Sequence, residues 1–181
     1  MGAIQKRRVV TGHNQQGTAV ILFNDMGKNV THIPSWPGLY VTELWVTSES
    51  PIDNGGTADR SLRPMKHDPD PHGSIFRLVE IPPESKTTFN AAGIFTELGS
   101  TTKPSEADSS RHPTMHKTNS VDYLVVISGE MTMQMEEGDT VLRAGDCVVQ
   151  RGTNHAWINK GDQPCLIAAV LVDARPAPER K

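Results

Sequence analysis

Met115-His116-Lys117-Thr118, then Val121-Asp122-Tyr123 at the head of an apolar run closing on Gly129-Glu130, then Gln150-Arg151-Gly152-Thr153-Asn154-His155-Ala156-Trp157-Ile158-Asn159, decide how this chain is read. His116, Asp122 and His155 are two imidazoles and a carboxylate, residue types that bind a divalent metal ion. Turns rich in Gly and Asn separate the strand-like segments that would bring them together. The chemistry is therefore expected here, inside a barrel of strands.

Outward from this stretch the apolar pattern stays short and β-like. Residues 18–23, 39–47 and 74–81 are rich in β-branched and aromatic side chains and bounded by Gly, Pro and Asn. Further strands are expected over 122–127, 130–135, 140–142, 146–150, 155–158 and 165–172, punctuated by Gly129, Gly138, Gly145, Gly152 and Gly161. Such regular punctuation predicts an all-β antiparallel barrel or jelly roll. Only residues 89–98 have helical character, and Gly93 within them costs about 1 kcal/mol against alanine.

A chain of 181 residues suits one domain. The expected organisation is N-terminal strands and a loop over 1–62, a barrel core over 63–172 and a tail over 173–181. Net charge is −3, with 18 Lys and Arg scattered against 21 Asp and Glu, so a nucleic-acid binder's basic footprint is missing. Residues 1–10 pass from Gln5-Lys6-Arg7-Arg8 to Val9-Val10 without an apolar signal core, and no apolar run approaches a membrane span. The expectation is a soluble, cytoplasmic protein. Cys147 and Cys165 lie in apolar strand-like runs and read as small buried hydrophobes.

Three polar segments, 48–62, 66–72 and 100–113, interrupt the strands and read either as solvated connections or as covers for a barrel mouth. Within the second, Lys66-His67-Asp68-Pro69-Asp70-Pro71-His72 has ligand types, but its prolines make it an extended, solvated loop. Met131, Met133 and Met135 alternate with polar residues and read as core. Glu43 and Glu80 lie within strands and are candidate general acids or bases if they face a cavity, with Arg77 as an ion-pair partner. An extended stretch at residues 7–11 is expected to add a strand to a neighbouring copy, giving a homodimer.

With these residues in view, the chain resembles the cupin superfamily of the small, single conserved-barrel type. The first cupin motif has two histidines one residue apart, a carboxylate and a closing glycine. His116 takes the first position, Thr118 stands at the usual second histidine, Asp122 replaces the usual glutamate, and Gly129 closes the motif. The second motif is matched by Gly145, Gly152, His155 and Asn159, with Gln150 where proline is common. The resemblance implies one divalent ion (Fe, Mn, Zn or Ni) on His116, Asp122 and His155. The loss of the second histidine leaves two outcomes open: a three-ligand ion with free positions, or a cavity without metal.

Strand alternation puts His155, Trp157 and Asn159 on one face, and His116, Thr118, Ser120 and Asp122 share a parity. Trp157 and Thr118 are thus candidate substrate contacts. Trp157 reads equally as a cavity wall for a flat apolar molecule or as core. The resemblance does not choose among activities, and the leading expectation is a metal-dependent enzyme of lyase type, decarboxylating or dehydrating a small carboxylic or polyketide-like aromatic compound. An Fe(II)-dependent dioxygenase and a non-catalytic ligand-binding cupin are the alternatives.

Overall fold

The structure, a computed structural model, describes residues 3–4, 6–101 and 104–177. Its strands, in chain order, are β1 (Arg7–His13), β2 (Ala19–Met26), β3 (Asn29–His32), β4 (Tyr40–Thr47), β5 (Ser74–Ile81), β6 (Ser120–Ser128), β7 (Glu130–Met135), β8 (Asp139–Arg143), β9 (Cys147–Arg151), β10 (His155–Ile158) and β11 (Cys165–Asp173). One α-helix, α1 (Ala91–Glu97), and a turn of 3-10 helix at Glu84–Lys86 lie between β5 and β6. A six-stranded sheet runs β3-β4-β5-β11-β6-β9, a three-stranded sheet runs β10-β7-β8, and β1-β2 form a separate hairpin. Every strand pairing is antiparallel. The fold is the expected all-β jelly roll with little helix.

Period-two alternation builds the interior. In β6, Ser120, Asp122, Leu124 and Val126 are buried while Tyr123, Val125 and Ile127 are exposed. The buried side meets Val41 and Val46 of β4, Ile75 of β5, Ile167 and Leu171 of β11, and Met131 and Met133 of β7 in one cluster shared by the two larger sheets. Each fully buried Leu, Ile or Met contributes roughly 1.5–3 kcal/mol of transfer free energy. The β6–β7 turn requires Gly129: its φ is +83°, and a Cβ there would stand 2.9 Å from the Cα of Cys165.

The stretch at 7–11 lies in β1, which pairs along one edge with β2 of its own chain from Arg7↔Met26 to His13↔Ala19. Arg8 pairs within the hairpin with Asp25 at 3.0 Å and fastens the hairpin to the 48–62 loop through Asp59 at 2.7 Å. Two expectations are corrected. The boundary expected at 62/63 falls between β4 and β5, which are paired neighbours in the six-stranded sheet, so strands before residue 63 belong to the barrel. Cys165 is buried, but Cys147 is exposed at the edge strand β9.

Helix α1 is capped by the Asn90 side chain, which accepts from the Gly93 N–H. Gly93 has a packing reason that propensity does not reveal: a Cβ there would lie 2.0 Å from Ser35 Oγ. Ser35 in turn donates through its N–H and hydroxyl to Glu97, at 2.9 and 2.8 Å, locking the helix against the body. No helix among the described residues is long and apolar enough to cross a membrane.

Candidate functional site

The interior holds a cavity of about 120 Å³. Strands β4, β5 and β11 supply Val41, Val79, Ile81, Ile167, Ala169 and Leu171, and α1 closes it with Ile94, Phe95 and Leu98. Its polar side is made by His67, Arg77, Thr114, His116, Thr118, Asp122 and His155, with Trp157 next to them. An apolar cavity of about 150 Å³ accepts benzene, so this one is matched to a molecule of about one aromatic ring. His116 also lines a larger polar cleft of about 450 Å³ with Lys66, Asp68, Asp108 and Lys117, placing it between the interior and the surface.

The two motif histidines are joined by backbone before their side chains meet. His116 and His155 form an isolated β-bridge, each N–H donating to the other's carbonyl at 2.9 Å. Their rings then stand 4.5 Å apart, tilted by 47°. Gly152, with φ +61° and no room for a Cβ beyond 3.0 Å from the Thr118 carbonyl, lets the β9–β10 turn press against the first motif. His116 Nδ1 lies 2.9 Å from the Thr114 carbonyl, which accepts its proton and leaves Nε2 with a lone pair. His155 Nδ1 has two neighbours, the Thr153 carbonyl at 2.9 Å and the Gln150 amide nitrogen at 2.6 Å.

Burial sets the charge of both rings. His155 is pushed down to about 4, chiefly by desolvation, and His116 is held well below 6.5 by desolvation and by its neighbours His155 and His67. Both imidazoles are neutral at pH 7. Asp122 shifts the opposite way: burial raises its pKa above 3.8, against the lowering effect of its hydrogen bond from Ser120. Ser120 Oγ donates to Asp122 Oδ1 at 2.5 Å and is itself 2.7 Å from Thr118 Oγ1, so the three alternate residues before and into β6 form one hydrogen-bonded row.

His116, Asp122, His155, Thr118 and Trp157 all line this cavity, with Trp157 edge-on to His155 at 5.0 Å. Glu43 and Glu80 do not. Glu43 is fully buried and shared between Arg77 at 3.0 Å and Arg63 at 3.3 Å, a structural ion pair. Glu80 accepts from the Ile4 N–H at 2.7 Å. Asn159, of the same strand parity as His155, brackets loops instead: its amide donates to Ile81 and Gln163 carbonyls and accepts from the Gly161 N–H. The loop at 66–72, expected to be solvated, sends His67 inward to 5.0 Å from the His116 ring and 6.0 Å from Phe95. Its only sequence signal is a histidine amid prolines. Cys165 is not a nucleophile candidate, since burial pushes its thiol up to about 11.

Among the described residues no three His, Cys, Asp or Glu side chains stand close enough together to hold a metal ion. Two imidazoles are adjacent, while Asp122 accepts from Ser120 through Oδ1. In this arrangement the donor set does not fit a three-ligand ion.

The Cupin_2 family, described as "Cupin domain", matches residues 100–172. Over 177 residues the chain is 28% identical to the cupin-domain-containing oxidoreductase virC of Hypocrea virens, covering 93% of this chain and 76% of that protein. It is 29% identical over 174 residues to the cupin-domain-containing oxidoreductase fogC of Aspergillus ruber, covering 92% and 71%. Among solved structures, a putative ethanolamine utilization protein Q from Salmonella typhimurium aligns with a TM-score of 0.45 at 11% identity, over 96% of this chain and 100% of that one. Residues 100–172 thus match a cupin domain, and the whole chain is similar to cupin-domain proteins.

Proposed function

We propose that this cupin-domain protein is an enzyme that takes a small, largely apolar molecule of about one aromatic ring into its interior and carries out a proton transfer of lyase type, a dehydration or decarboxylation. One observation carries the reading: Asp122 is a buried carboxyl on the wall of a mostly apolar cavity, with its proton held to higher pH than in water, and it shares that cavity with two neutral imidazoles. Burial moves the carboxyl and the imidazoles in opposite directions, which is the arrangement that pairs an acid with a base in one cavity. In a dehydration, His116 Nε2 takes the proton from the carbon beside a carbonyl. The hydroxyl on the next carbon leaves as water with the proton from Asp122. Ser120 and Thr118 hold the carboxyl, while Trp157, Phe95 and Leu98 pack on the ring and keep out bulk water. No step is assigned to a metal.

The experiment is a screen of β-hydroxy carbonyl and aryl carboxylic acid compounds with the protein before and after exhaustive chelation, read by mass spectrometry. Turnover that survives chelation and is lost in Asp122→Asn supports the reading. Turnover that survives in Asp122→Asn refutes it. A second reading, oxidation of the same molecule, is favoured by the names of the two relatives matched over most of this chain. Oxygen uptake on adding substrate separates it from the first. A homodimer remains our inference for the assembly, carried now by the outward apolar row Tyr123, Val125 and Val149 rather than by β1. A monomer in sedimentation at micromolar concentration would refute it.

A further inference from the structure

The amide of Gln150, at the position where the cupin resemblance leads one to expect proline, is fixed by the backbone around it. Its Oε1 accepts from the Gly152 N–H at 2.7 Å and its Nε2 donates to the Thr153 carbonyl at 2.6 Å. Turning the amide over would set oxygen against the Thr153 oxygen and NH2 against the Gly152 N–H, losing both bonds. In the orientation the backbone requires, the Nε2 amide group stands 2.6 Å from His155 Nδ1 as well as from the Thr153 carbonyl. Two nitrogens at that separation need one proton between them, and the amide cannot lose either of its own. The Thr153 carbonyl, 2.9 Å from Nδ1 and also accepting from Gln150, is the competing partner for a proton on Nδ1.

We propose that Gln150 is a positioning residue that holds His155 as the Nε2–H tautomer, so that the cavity presents an imidazole donor at His155 beside an imidazole acceptor at His116. The two rings, 4.5 Å apart, then form a complementary pair rather than two lone pairs. Such a pair recognises an uncharged group with an acceptor and a donor side by side: a carboxamide, an undissociated carboxylic acid, or a carbonyl with its enol or neighbouring hydroxyl. It disfavours a free carboxylate, which has no proton for His116. It also accounts for the lack of fit to a metal ion, since ligation by both Nε2 atoms needs a lone pair on each. Resting on the lyase reading above, this narrows the substrate to an uncharged carbonyl compound, with the His155 N–H aimed at the oxygen where enolate charge develops.

The tautomers are read without substrate or activity, from long-range proton–nitrogen correlation spectra of the full chain labelled with 15N-histidine at pH 7. The expected result is His155 protonated on Nε2 and His116 on Nδ1. Finding His155 protonated on Nδ1 overturns the proposal, whatever the outcome of any turnover assay. Gln150→Glu replaces the facing donor with an acceptor and should convert His155 to Nδ1–H. If that variant does not fold, the wild-type spectrum decides alone. For the ligand class, benzamide and benzoate are titrated into the wild-type protein at pH 7. Benzamide is expected to bind at least tenfold more tightly, and equal or tighter binding of benzoate refutes the assignment.

Discussion

Acid should unfold this protein through His155, and the size of the effect follows from its burial. The imidazole titrates near 6.5 in an unfolded chain and at about 4 in the fold. Between those values the unfolded state binds a proton that the native state refuses, so stability present above pH 6.5 falls as pH drops and levels off below about 4. At about 1.4 kcal/mol per pH unit the whole interval is worth about 3 kcal/mol, most of it lost by pH 4.5, against a total of roughly 5–15 kcal/mol for a typical domain. The assay is urea unfolding, followed by tryptophan fluorescence, at pH 7 and pH 4.5 on wild type and His155→Gln. Wild type should lose about 2–3 kcal/mol more than the variant over this range. Other groups are largely common to both proteins. His116 adds to the loss in the same direction, and Asp122, whose folded pKa is raised, contributes with opposite sign. Asp59, lowered to about 2, acts mainly below pH 4. Equal losses in wild type and variant would refute the claim that His155 is buried neutral.

Glu43→Gln should destabilise the fold by about 3–5 kcal/mol in denaturant titration, because it strands the buried guanidinium of Arg77 and takes a partner from Arg63. Trp157→Ala should weaken benzamide binding about tenfold by calorimetry, through loss of ring contact worth about 1.4 kcal/mol. An unchanged affinity would return Trp157 to the core. Gly129→Ala should cost about 2 kcal/mol or more in thermal unfolding, since a Cβ at φ +83° must also displace the Cys165 backbone 2.9 Å away. Chelator treatment should leave the melting temperature within about 1 °C, as the described residues provide no three-ligand ion whose loss would cost binding free energy.

What the sequence displayed and what it concealed divide along a physical line. Strand alternation and glycine turns are local signals, and they led directly to β4 to β11 and to the convergence of His116, Asp122, His155 and Trp157 on one cavity. The same alternation misled where one strand's parity did not decide a side chain's partner. Asn159 shares the parity of His155, yet its amide is consumed by backbone 78 residues upstream and by the adjoining loop. Cys147 sits in an apolar run, but it lies on an edge strand whose neighbour also turns Tyr123 and Val125 outward. His67 could not be read at all, because nothing local to a proline-rich loop records that the loop folds over the barrel mouth toward Phe95 and His116. Residue type likewise left the metal question open, since two imidazoles and a carboxylate at plausible spacing are equally consistent with a ligand set and with a hydrogen-bonding set. That choice depends on Ser120 donating to Asp122 and on Gln150 facing His155, contacts made two and five residues apart in the chain but fixed only when the strands are assembled. The signal for both was printed beside the motif, as a serine of the same parity and a glutamine in a proline's place, and it acquires meaning only from the distances.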